Sequence, residues 1–218
     1  MADTISILLQ HGWAFDKSIW QDWISSNDHD YNFILPDRGY YGNPEIVDYS
    51  KVTVAVTHSF GLHLLPDNLF SQLDRLVIIS GFHEFHPSTR KARLMSQRAV
   101  VQMISKLEVQ SEEVLQKFYL NCFAPEKPRY HASKMPDIKL LHKDLQRLNN
   151  HVQESEKLIQ PGKVYILHGS NDRIVNTHKA TELEKMIPGS TLAIKHRAGH
   201  MLPVSHTQWC LDQLKTLF

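Results

Sequence analysis

Apolar residues in this chain fall into short unbroken runs separated by longer amphipathic stretches. The runs are ISILLQ (5–10), NFILP (32–36), KVTVAVT (51–57), RLVIIS (75–80), KVYILHG (163–169) and STLAIKH (190–196). Several lack polar alternation, which predicts strands covered on both faces, as in a parallel sheet. The segments 16–26, with Trp20 and Trp23, 60–70, 177–187 and 205–217 read as helices. Strand and helix signals in this order predict an α/β domain, a mostly parallel sheet of about six strands flanked by helices.

One region breaks the rhythm. From Glu84 to Asn150 there is no strand signal, but three sets of residues recur at helical spacing: Leu94, Val101, Ile104 and Leu107; Val114, Phe118 and Cys122; Ile138, Leu141, Leu145 and Leu148. Residues 84–150 are therefore expected to form a helical cap, inserted into a core made of 1–83 and 151–218. The insertion follows one strand end at Ser80-Gly81 and precedes the next strand at Lys163, so it is expected above the carboxyl ends of the strands, where open α/β sheets bind ligands.

Charge sharpens the division. The chain of 218 residues carries a formal charge of only +1, yet residues 1–83 hold a net −6, 84–150 a net +5 and 151–218 a net +2. A near-neutral whole excludes a dedicated nucleic-acid binder or a disordered tail, while a basic cap faces an acidic base. The opening MADTISILLQ has neither the basic start nor the apolar length of a signal peptide, and no window reaches the length of a membrane span, so a cytoplasmic protein is expected. Cys122 and Cys210 show no disulfide or zinc-site spacing and read as buried thiols. No cluster of ligand-type residues calls for a metal, and no cofactor is expected.

Candidate chemistry begins at VAVTHSFGLHLL (54–65). A strand, a sharp turn through Thr57-His58-Ser59-Phe60-Gly61 and a following helix form the layout of a nucleophile elbow, which lifts the Ser59 hydroxyl above the sheet edge. A serine N-cap would use the same residue type at the same place. The partners a serine nucleophile needs lie downstream in the expected order: Asp172 just past the strand at 163–169, and His200 just past the strand at 190–196. Alone, Asp172 could be an Asx turn or helix cap and His200 one of 14 ordinary histidines; together they point to a triad. The first strand ends at His11-Gly12, so the backbone N–H of Trp13, with that of Phe60, is placed to form an oxyanion hole. His11, His58, His63, His83 and His86 read as structural or pocket-lining, and LPDRGYYGNP (35–44) as a turn with no assigned chemistry.

With HGWAFDKSIW, THSFGLHLL, LHGSNDRIV and AGHMLPVSH in this order, the chain resembles the α/β-hydrolase superfamily over nearly its full length. The Trp after His-Gly, the helical cap and the stretch AVVQMISKLEVQSEEVLQKFYLNCFAP (99–125) resemble the pimeloyl-acyl-carrier-protein methyl ester carboxylesterases of biotin synthesis, the BioH-like group. This resemblance implies a Ser59, Asp172 and His200 triad and an oxyanion hole from Trp13 and Phe60. It also implies a serine carboxylesterase acting on an acyl methyl ester, with basic cap residues Arg90, Lys91, Arg93 and Arg98 receiving the acidic acyl carrier protein. A monomer without nucleic-acid or membrane partners is expected. Three positions depart from the pattern: Thr57 replaces the first elbow glycine, Leu62 stands where another glycine is common, and Pro66 should shorten or kink the helix after the elbow. Other small-ester hydrolases, carbon–carbon bond hydrolases or menaquinone-pathway lyases of the same fold remain open, as does a non-catalytic ligand-binding module. Such lyases tend to hold substrate carboxylates with a basic residue just after the elbow, where His63 is the sole candidate.

Overall fold

The computed structural model describes residues 5–26, 31–130, 132 and 134–214. Six strands, β1 (Ser6–Gln10), β2 (Asn32–Ile34), β3 (Val54–His58), β4 (Arg75–Ile79), β5 (Lys163–Gly169) and β6 (Thr191–Lys195), form one sheet in the order β2-β1-β3-β4-β5-β6. Every pairing is parallel. Consecutive residues of the central strands serve opposite faces. Ile7, Leu9, Val54, Val56, Val77 and Ile79 enter one apolar core, and Leu8, Ala55, Leu76 and Ile78 enter the other. Burial on both sides explains why these strands read as continuous apolar runs instead of alternating ones. After β2 the chain returns to the other side of β1, so β1 and β3 are neighbours at the point where the strand order reverses. A crevice opens at such a switch point.

Eight helices accompany the sheet among the described residues: α1 (Gln21–Ser25), α2 (Arg90–Leu107), α3 (Ser111–Phe123), α4 (Ile138–Asn150), α5 (Ser155–Leu158), α6 (His178–Met186), α7 (Leu202–Ser205) and α8 (Thr207–Leu214). The expected helix over 60–70 is instead two 3-10 turns, Ser59–Leu64 and Asp67–Gln72. Leu65 between them is extended, at φ −64° and ψ 140°, because the ring of Pro66 disfavours a helical residue before it. The expected helix over 205–217 is split into α7 and α8, its last residues lying outside the described ones.

Helices α2, α3 and α4 occupy the expected insertion between β4 and β5. Their inward residues, Val100, Leu107, Leu115, Cys122, Leu141, Leu145 and Leu148, belong to the same core cluster as Val54 and Val77 of the sheet. The stripe expected on α2 is only half right: Leu107 is buried, but Leu94 and Val101 are 47% and 52% exposed. Val100 takes the inward position instead, one residue round the helix from Val101.

Candidate active site

Four non-glycine residues among those described adopt left-handed backbone, Ala14, Ser59, Ser80 and Arg197, with φ between 51° and 60°. Each follows β1, β3, β4 or β6 within a few residues. Such a conformation costs on the order of 1–2 kcal/mol per residue and persists where the surrounding structure enforces it. At Ser59 (φ 55°) it makes the sharp turn that the elbow motif predicts. Thr57, where the motif usually has glycine, is fully buried, and its Oγ1 donates to the Val77 carbonyl of β4 at 3.3 Å. The substitution is tolerated because the added hydroxyl has an acceptor.

Asp172 and His200 come together as expected. His200 Nδ1 lies 2.7 Å from Asp172 Oδ2, and both side chains are fully buried. The other carboxylate oxygen, Oδ1, accepts the backbone N–H groups of Ile174 and Val175, each at 2.8 Å. The two loops are stitched by backbone bonds from Ser170 N–H to the Lys195 carbonyl and from Asn171 N–H to the Ala198 carbonyl. His200 Nε2 is buried without a hydrogen-bond partner among the described residues. A buried polar atom left unpaired is uncommon and marks this ring for function.

Three residues that sequence reading left without chemistry hold the His200–Asp172 pair in place. The His200 carbonyl accepts from Ser80 Oγ at 2.9 Å and from His58 Nε2 at 3.2 Å. The His58 and His200 rings lie 4.8 Å apart, and burial, reinforced by His200, pushes the His58 imidazole well below its ordinary range. A neutral His58 keeps its donor role and adds no charge beside an imidazolium. His168 donates Nε2–H to the Val175 carbonyl at 2.9 Å and lies 3.4 Å from Asp172 Oδ2. Strand-end position marked Ser80 and His168, but nothing local identifies their distant partners.

Gly12 abuts the elbow: a Cβ there would lie 2.9 Å from the His58 carbonyl oxygen and 3.1 Å from Ser59 Cβ. The Gly12-Trp13 peptide therefore runs directly beside Ser59, as an oxyanion donor requires. The insertion grips this loop. Trp13 Nε1 donates to the Leu141 carbonyl of α4 at 2.9 Å, and its ring meets Phe118 of α3 edge-on at 4.9 Å. Tyr119 Oη donates to the Ala14 carbonyl at 2.8 Å.

From α3 the insertion also reaches His200. The Cys122 carbonyl accepts the N–H groups of His200 and Met201, at 3.1 and 3.2 Å. Gly199 permits this approach, since a Cβ there would fall 2.0 Å from the Ala124 carbonyl oxygen. Both cysteines are buried, as the sequence suggested. Burial, aided by the Asp172 carboxylate, raises the Cys122 thiol well above its usual range, which makes it a poor nucleophile.

The remaining expected residues are dispersed. His63 is buried, with Nε2 on the Phe82 carbonyl at 2.9 Å and Nδ1 on His151 at 2.9 Å, so both ring nitrogens are engaged by the protein. Arg93 is paired bidentately with Glu84 at 2.5 and 2.6 Å, whereas Arg90, Lys91 and Arg98 are exposed on α2. A cavity of about 840 Å³ between Lys17, Phe33, Leu35 and Tyr41 includes no triad candidate. A cleft of about 340 Å³ between α2 and α3 is lined by Met103, Val114, Phe118 and Ile174, with Lys106 and Lys117 also on its wall. Two of these residues adjoin the site, Phe118 through Trp13 and Ile174 through Asp172. Among the described residues no helix is long and apolar enough to cross a membrane.

No protein-family model matches the chain, and no curated protein matches it in sequence. Solved structures do. An esterase from Exiguobacterium antarcticum superposes with a TM-score of 0.83 at 16% identity, over 100% of this chain and 92% of that one. A bromoperoxidase from Bacillus anthracis gives 0.78 at 15%, over 98% and 91%, and an enol-lactonase from Burkholderia xenovorans LB400 gives 0.76 at 12%, over 99% and 91%. At these identities the likeness establishes the fold, which is the α/β-hydrolase fold, and extends to no one subfamily.

Proposed function

We propose that the chain is a serine hydrolase acting on carboxylic esters, with Ser59 as nucleophile, His200 as general base and acid, and Asp172 as its orienting carboxylate. The observation that carries this reading is the buried Asp172–His200 pair, whose Nε2 is left unpartnered and whose ring meets His58, the residue just before a left-handed serine at the switch point. Asp172 Oδ2 accepts the Nδ1 proton, which leaves the Nε2 lone pair to receive the Ser59 proton as Oγ attacks the carbonyl carbon. The carbonyl electron pair moves onto oxygen, where the N–H groups of Trp13 and Phe60 stabilise it. Collapse expels the alcohol, protonated by His200, and water repeats the sequence on the acyl-enzyme. The esterase and enol-lactonase likenesses suit this chemistry.

For the substrate we propose an acyl methyl ester, pimeloyl-acyl carrier protein methyl ester being the preferred case, with helices α2 to α4 as the cap and the α2–α3 cleft as the entry for the acyl chain. Support comes from the apolar floor of the cleft and from the exposed cations Arg90, Lys91 and Arg98. Arg93, neutralised by Glu84, contributes less to an acidic partner than its sequence position suggested. Ser59→Ala should abolish turnover of a chromogenic butyrate ester and labelling by a fluorophosphonate while leaving the circular dichroism spectrum unchanged; retained turnover would remove Ser59 from the mechanism. Reversing Arg90, Lys91 and Arg98 to Glu should raise KM for the carrier-linked ester at low salt and spare free methyl pimelate. Equal effects on both esters would refute carrier docking.

A further inference from the structure

The two ends of one hydrogen-bonded circuit rest on α4, one turn apart, and the Gly12-Trp13 peptide lies in its middle. At one end Asp144, 1% exposed, accepts Arg38 Nε at 2.6 Å, Arg38 Nη2 at 2.9 Å and the Tyr40 hydroxyl at 2.8 Å. Arg38 is thereby fixed, and its backbone N–H donates to His11 Nε2 at 3.0 Å. On the other side of that ring, Nδ1 lies 2.9 Å from the Gly12 carbonyl oxygen. A carbonyl can only accept, so Nδ1 carries the proton, and Nε2, lacking one, is the acceptor that the Arg38 N–H requires. The two contacts select the same tautomer.

This ring determines where the candidate oxyanion donor points. The Gly12 carbonyl and the Trp13 N–H belong to one planar trans peptide and point in opposite directions. Holding the carbonyl on His11 Nδ1 turns the N–H the other way. The circuit closes through the same residue, since Trp13 Nε1 donates to the Leu141 carbonyl of α4. Leu141 and Asp144 are three residues apart on one helix face. Farther along α4, Arg147 Nη2 donates to the His63 carbonyl at 2.5 Å, and His151 at its C-terminal end meets the His63 ring, which stacks on Phe60 at 5.4 Å. Contacts from the same helix thus reach both residues whose N–H groups would face the oxyanion.

We propose that α4 sets the geometry of the oxyanion hole, with Asp144, Arg38 and His11 as positioning residues that orient the Gly12-Trp13 peptide. The proposal rests on the assignment of Ser59 as nucleophile and of Trp13 and Phe60 as oxyanion donors. The insertion then has a part in transition-state stabilisation beyond covering the site.

The test uses Asp144→Asn, which keeps size but weakens the grip on Arg38, and Trp13→Phe, which keeps an aromatic side chain but removes the bond to Leu141. Active sites are titrated with a fluorophosphonate, so rates refer to competent enzyme only. With a small chromogenic ester, each variant should lose on the order of tenfold to a hundredfold in kcat, the scale of a misplaced oxyanion donor, with KM within about twofold. Affinity for a trifluoromethyl ketone, which forms a tetrahedral adduct, should fall by the same factor as kcat/KM. Because both substitutions cut one circuit, the double variant should lose less than the product of the single losses. Unchanged kcat and ketone affinity per titrated site in both variants, or strictly multiplicative losses, would overturn the proposal. If Asp144→Asn fails to fold, Trp13→Phe alone decides it by the same two readouts. Ser59→Ala separates the two levels: if it retains turnover, the nucleophile assignment fails and the circuit falls with it. If it is inactive while the circuit variants behave as wild type, the circuit alone fails.

Discussion

Replacing Asp172 by Asn should cost far more than the loss of one charge, because the site dictates how the amide must sit. Oδ1 accepts two backbone N–H groups, from Ile174 and Val175, both at 2.8 Å. An NH₂ group at that position would face two donors, so the amide oxygen stays there. The NH₂ must then occupy the Oδ2 position, 2.7 Å from His200 Nδ1 and 3.4 Å from His168 Nε2. A donor facing Nδ1 forces the imidazole proton onto Nε2, the atom proposed to accept the Ser59 proton. Geometry is kept and the tautomer is wrong. Inversion of this kind in a serine triad lowers kcat about 10⁴-fold, equivalent to about 5.4 kcal/mol of barrier. The assay is single-turnover acylation by a nitrophenyl ester, with rates normalised to titratable sites and folding verified by circular dichroism. A loss below tenfold would refute the reasoning, and so would a crystal structure with the Asn oxygen on His200 Nδ1.

Two further predictions concern stability. Gly199→Ala places a methyl group 2.0 Å from the Ala124 carbonyl oxygen, a backbone atom with no side chain to yield. The His200 loop must move, so at least about 2 kcal/mol of stability should be lost together with most activity; chemical denaturation and ester turnover check both, and a variant of native stability would refute the close packing. Burial opposes ionisation of Asp37, but the backbone N–H groups of Gly39 and Lys17, accepted at 2.8 and 3.2 Å, outweigh it and hold the carboxyl below its ordinary value. A carboxyl depressed in the folded state stabilises above its unfolded value of about 3.9 and loses that contribution as pH falls toward 2. After screening by solvent, Asp37 should therefore contribute on the order of 1 kcal/mol at pH 7. In denaturation curves, Asp37→Asn should remove stability at pH 7 and lose less than wild type between pH 5 and 2; parallel pH dependences would refute the assignment.

The four central strands were legible because burial on both faces leaves unbroken apolar runs, while the half-exposed edge strands β2 and β6 were marked only by short apolar runs; the triad candidates stood out because strand ends mark where side chains can converge. The start of β3 was placed too early: Lys51-Val52-Thr53 is apolar only at Val52, and pairing begins at Val54. The register of α2 was misjudged because Val100 and Val101 are equally apolar, and only packing chooses between them. Least legible was 35–44. Its Arg38 meets a carboxylate 106 positions away, and no local pattern foreshadows such a pairing. The supporting roles of His58 and Ser80 were hidden for the same reason, their common acceptor being a backbone carbonyl more than a hundred residues distant.

The Cys122 carbonyl that holds the His200 and Met201 N–H groups limits how this molecule can change. Where an insertion touches only substrate, recombination can exchange it for another and obtain a new specificity while the chemistry survives. Here the end of α3 is part of the scaffold of His200, so a wholesale graft would replace the insertion and disturb the buried Asp172–His200 pair together. Variation is free mainly on the outward side of α2, where Leu94, Met95 and Val101 already face solvent. On the proposed esterase reading, directed evolution of new ester preferences should accordingly enrich substitutions on α2 and purge those at the α3 terminus.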